Sequence, residues 1–82
     1  MKPTIDRFIS VFRRGSNGCE RRIDVNHIPV ATLRKIFSNP SDDLLVLSYD
    51  IEERHAKALQ PYISDSLDLK KFEYFLEAEE GK

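Results

Sequence analysis

The tripeptide Ser16-Asn17-Gly18 lies between two runs rich in β-branched and aromatic residues, and no other stretch constrains the fold as much. Asn-Gly supplies the positive φ that a tight hairpin needs, so residues 4–14 and 19–25 are predicted to form antiparallel strands. A two-residue loop at Asn17-Gly18 would pair Phe12 with Ile23 and set Arg14 opposite Arg21. A three-residue loop with Gly18 left-handed pairs Arg14 with Glu20 and Val11 with Ile23. The second register avoids the like charges and is the expected one; it gathers Ile9, Val11, Ile23 and Val25 on one face. Phe8 and Phe12 then occupy the opposite face. A strand that is apolar on both sides is usually central in its sheet or covered twice.

Further along, Pro29 suits the first turn of a helix, and Val30, Leu33, Ile36 and Phe37 follow at helical spacing. Asn39-Pro40-Ser41 stops that helix. Leu44 to Tyr49 has the length of a short strand. Asp50 with Glu53 reads as a capping box, and Ile51, His55, Ala58 and Leu59 fall on one face of the helix it would open. Pro61 ends or kinks that helix. The tail supports two readings over residues 70–78. As a strand, Phe72, Tyr74, Leu76 and Ala78 alternate with Glu73, Phe75 and Glu77; as a helix, Leu69, Phe72, Phe75 and Leu76 share a face. Its aromatic density favours the strand, which would cover an edge of the hairpin.

The expected fold is therefore α+β in the order ββαβαβ, an antiparallel sheet whose N-terminal hairpin is packed by two helices. At 82 residues, 1–82 forms one domain with a small core. The apolar fraction of 40% is too high for a disordered chain. The longest apolar run, Leu44-Leu45-Val46-Leu47, falls far short of the roughly 18 residues that span a bilayer, so no membrane contact is expected. Met1-Lys2-Pro3-Thr4 followed by Asp6 has no signal-peptide pattern, and the single cysteine excludes an intramolecular disulfide; both point to the cytoplasm.

Net charge hides a division. Residues 1–37 hold eight basic side chains against three acids, and residues 38–82 hold five against eleven. Either the surface is polarised and steers a charged partner, or the halves interleave in space and neutralise each other.

Few constellations carry chemistry. Cys19 has only His27 and His55 as potential bases, and nothing local activates it; an inert cysteine is the commoner outcome. Glu52-x-x-His55 has helical metal-ligand spacing in a single copy, whereas carboxylate metal sites combine two such motifs with further glutamates. Arg13, Arg14, Arg21 and Arg22 crowd the hairpin tip and, with Phe8 and Phe12, resemble a basic β-ribbon for nucleic acid. A pI near 6.1 and the missing sheet motifs weigh against that use, and solvated arginines are the simpler reading. Acidic pairs such as Asp42-Asp43 could instead occupy the basic groove of a partner.

The second half, with "ALQPYI", "LDL" and "YFLEA" after an "LRKIF"-type helix, resembles small bacterial immunity proteins of contact-dependent growth inhibition and related polymorphic toxin systems. The resemblance covers most of the chain. It implies stoichiometric binding and neutralisation of a cognate toxin C-terminal domain, a basic nuclease, by a monomer that forms a heterodimeric complex with it. It implies no enzyme activity, cofactor, metal or catalytic residue. From charge, the expected partner-binding residues are Asp42, Asp43, Asp65, Asp68 and Glu73. The alternative is a small nucleic-acid-binding regulator that uses the arginine hairpin.

Overall fold

The computed structural model describes residues 5–37 and 48–80. The first two strands, β1 (Ile5–Arg13) and β2 (Cys19–Asp24), form the hairpin. They are followed by α1 (Val30–Ile36), β3 (Tyr49–Asp50), α2 (Glu53–Leu59) with a 3-10 turn (Gln60–Tyr62), and β4 (Phe72–Glu80). The order is ββαβαβ, as expected, and the strands lie β2-β1-β4-β3, every pair antiparallel. The tail is a strand, and β1 is central between β2 and β4. That position explains why Phe8, Ile9, Ser10 and Val11 are buried in succession.

The hairpin register differs from the expected one. Ile9 pairs with Ile23 and Val11 with Arg21, a slip of two residues, and a bulge between Val11 and Phe12 brings Phe12 opposite Cys19. Gly15, not Gly18, takes the left-handed conformation, at φ 84°. The Ser16 N–H donates to the Arg13 carbonyl at 3.0 Å, closing a turn with Gly15 at its third position, where positive φ favours glycine. The Arg14 N–H meanwhile donates to the Lys71 carbonyl, also at 3.0 Å, which holds that end of β1 to the segment entering β4. Because a slip of two preserves the side-chain alternation, Ile9, Val11, Ile23 and Val25 still share the core face.

Both helices pack on that face. Leu33 and Phe37 at α1, and Ala56 and Leu59 of α2, join Ile9, Val11, Ile51, Tyr74 and Leu76 in one cluster. Tyr74, 1% exposed, directs its hydroxyl to the Asp68 N–H at 2.8 Å, so its one buried polar atom is satisfied.

Two details of the second half are corrected. Asp50 is not a cap: it pairs with Phe75 in β3, and the Ile51 N–H continues the ladder to the Tyr74 carbonyl, so α2 begins only after Glu52. Ala56, not Ala58, joins His55 and Leu59 on the buried side. Pro61 falls where the helix was expected to end or kink: α2 stops at Leu59 and the proline sits in the 3-10 turn that follows. Of the run Leu44 to Tyr49, only Ser48 and Tyr49 lie within the described residues, and Tyr49 pairs with Leu76.

Candidate binding face

Alternation along the strands sends one set of side chains to the helices and the other to the opposite side of the sheet. By register, that outer face carries Phe8, Ser10 and Phe12 from β1, with Glu77, Phe75 and Glu73 of β4 directly across. Arg22 of β2 lies beside Ser10, and Asp50 of β3 beside Phe75. Asp6 with Glu79, and Asp24 beside Phe8, complete the far end. Phe8 is buried yet stands outside the core cluster, and neither helix packs on this side.

The face has a definite internal geometry. The Arg22 guanidinium lies 4.3 Å from the centroid of the Phe8 ring. Both of its terminal nitrogens reach the Glu79 carboxylate at 3.4 Å, so the cation is shared between ring and carboxylate. Phe12 and Phe75 meet edge to face, with centroids 5.6 Å apart. Ser10, buried and paired with Phe75 across the ladder, donates its hydroxyl to Glu77. Six carboxylates (Asp6, Asp24, Asp50, Glu73, Glu77, Glu79) hold register positions on this face, against Arg22 and an Arg14 that reaches Glu73 at 3.2 Å. The face is acidic, with aromatic rings set among the charges.

The five acids predicted to bind a partner do not form one site. Asp42 and Asp43 lie outside the described residues. Asp65 lies beside the edge strand β2 and pairs with Arg21. Asp68 builds a turn: its carboxylate accepts the Lys70 N–H at 3.0 Å, and its carbonyl accepts the N–H groups of Lys71 and Phe72. Only Glu73 belongs to the outer face. The charge division interleaves instead. Arg14–Glu73, Arg21–Asp65 and Arg22–Glu79 join the two halves, and Arg13 pairs with Glu20 at 2.8 Å within the hairpin. Such exposed pairs are worth only about 0–1 kcal/mol each, but every arginine of the hairpin tip has a carboxylate at hand.

Glu52 and His55, spaced like metal ligands, form a reciprocal cap. The Glu52 side chain accepts the His55 N–H, and His55 Nδ1 accepts the Glu52 N–H at 2.9 Å. The ring stacks on Phe37 at 4.6 Å, and its Nδ1 role fixes the neutral tautomer with hydrogen on Nε2. Burial pushes its pKa below the ordinary 6.5, helped by Arg54 and opposed by Glu52 and Asp50. A depressed folded-state pKa means that the cap's contribution is complete above about pH 6.5 and is lost as pH falls from there through the lowered folded-state value. His55→Gln should therefore flatten the acid side of the stability curve between about pH 7 and 5. Denaturation midpoints across that range test this, and an acid limb identical to wild type would reject the role. His27 is also engaged, donating from Nε2 to the Tyr62 carbonyl at 2.6 Å.

Among the described residues, no helix is long and apolar enough to cross a membrane. A family model described as a domain of unknown function, DUF7683, matches residues 6–77. No curated protein and no solved structure matches the chain.

Proposed function

The chain belongs to the DUF7683 family, and from the sheet face that neither described helix covers we propose that it acts by occupation: it binds a cognate bacterial toxin domain and neutralises it one to one. The observation that carries this reading is the outer face, where Phe8, Phe12 and Phe75 stand among six carboxylates with no described helix packed over them. A small domain that packs its helices on a single side of a sheet has the other side to offer a partner. The resemblance of the second half to immunity proteins supplies the class of partner, and the acidity of the face suits a basic nuclease. Such an inhibitor would act in the cytoplasm, where the nuclease finds its substrate.

Titration of the purified protein into the active product of the neighbouring gene tests the proposal. Protection should rise linearly and saturate at one copy per toxin, and Cys19→Ser and His27→Gln should leave that endpoint in place. Complete protection far below equivalence would mean turnover and would overturn binding by occupation. Submicromolar, strongly salt-dependent affinity for generic RNA or DNA would instead favour the regulator, since each phosphate contact adds close to one unit to the salt slope.

A further inference from the structure

We propose that the part of the outer face centred on Phe75 is the docking position for an arginine-bearing segment of the partner protein, whose guanidinium lies over this ring among Glu73, Glu77 and Asp50. The inference rests on the reading of this face as the contact surface and specifies the chemistry that meets it.

The chain contains its own template. At Phe8 an intramolecular cation, Arg22, covers the ring and reaches a carboxylate, Glu79. The other half of the face repeats the acceptor side of that arrangement. Phe75, half-buried, has Glu73 and Glu77 two residues away along β4 and Asp50 across the β3 ladder. Arg14 is committed at the rim, to Glu73 and to the Leu69 carbonyl at 2.7 Å. Among the described residues, Glu77 is oriented by a neutral donor, the Ser10 hydroxyl. A ring with carboxylates around it favours a cation twice, through its quadrupole and through charge-assisted hydrogen bonds. A planar guanidinium exploits both together better than an ammonium does. Phosphates are repelled by six carboxylates.

The experiment follows backbone amide shifts of the full chain titrated with arginine-rich, lysine-rich and glutamate-rich peptides of equal length. The arginine-rich peptide should shift Ser10, Phe12, Glu73, Phe75 and Glu77, more strongly than the lysine-rich one and less as salt rises. The glutamate-rich peptide should leave them unmoved. Phe75→Leu keeps an apolar side chain but removes the quadrupole, and should weaken the arginine-rich peptide by about three- to thirtyfold, while the lost edge-to-face contact with Phe12 lowers the melting temperature only slightly. Shifts centred on the hairpin tip, or equal binding by Phe75→Leu, would overturn the inference. So would a large loss of stability in Phe75→Leu with no peptide response, because the ring would then be covered by the chain itself. Capture of the neighbouring gene product separates the two levels. If wild type, Phe75→Leu and Glu77→Gln capture it equally, the docking position falls and toxin binding stands. If the arginine-rich peptide binds at this face and the gene product does not bind at all, the toxin reading falls and the docking position stands.

Discussion

Leu76→Ala should remove about 2–5 kcal/mol of folding stability, from a domain of a size that holds on the order of 4–12 kcal/mol in total. Leu76 is fully buried at the middle of β4, where Ile9 pairs with it on one side and Tyr49 on the other. Its side chain points to the face on which both helices pack, so truncation opens a cavity that no single element can close by moving. Rigid strands on both sides keep the cost toward the upper part of the range. Urea denaturation should show a midpoint well below that of wild type with an unchanged slope. A loss under about 1 kcal/mol would mean that the core face is assigned wrongly. By contrast, Leu67 and Leu69 are half-buried in the segment before β4 and contribute less buried area per side chain.

The contrast between core and turn shows which parts of this fold the sequence makes legible. Faces were readable because alternation is a parity property, and a slip of two residues leaves parity intact. Register was not, because two glycines compete for the left-handed position three residues apart. Gly15 takes it where Arg14 can bond to Lys71, a contact between residues 57 positions apart that no local rule reveals. The start of α2 was displaced for a similar reason. Asp50 is a good cap in isolation, but its pairing with Phe75 keeps the backbone extended past Ile51. Glu52 and His55 then cap the helix from residues whose spacing alone also fits metal ligation.

The outer face was half legible. Phe8 and Phe12 were placed opposite the core, and the tail's alternation already set Glu73, Phe75 and Glu77 together. Counting acids along the chain diverted the site prediction toward Asp65 and Asp68, which the fold uses for an ion pair and a turn. A count has no direction, whereas alternation in a strand does. The signal that gathers the acidic face was therefore the period of two in β4, read together with its pairing to β1.

That face sets the largest expected functional effect. Reversing Glu73, Glu77 and Glu79 to lysine should slow association with a basic partner by about ten- to a hundredfold at low salt, with a smaller change in dissociation. The corresponding glutamines remove attraction without adding repulsion and should slow association by an intermediate amount. Raising ionic strength shrinks the screening length to about 8–10 Å and should bring all three proteins together in rate, because steering acts beyond contact distance. The fold should survive at reduced stability: the two ion pairs lost, to Arg14 and Arg22, are exposed and contribute about 0–1 kcal/mol each, and the buried Ser10 hydroxyl loses its Glu77 acceptor at a cost of about 1–3 kcal/mol. Arg22 also rests on Phe8, so circular dichroism of each variant belongs with the kinetics. If association is unchanged across the salt series in folded protein, the partner does not approach this face, and its docking surface has to be sought around the groove that Ala56, Leu67 and Leu69 line beside α2. Charge reversal separates these two surfaces because that groove mixes Glu53 and Asp68 with Lys57 and Lys70, and so would give a partner no net field to follow.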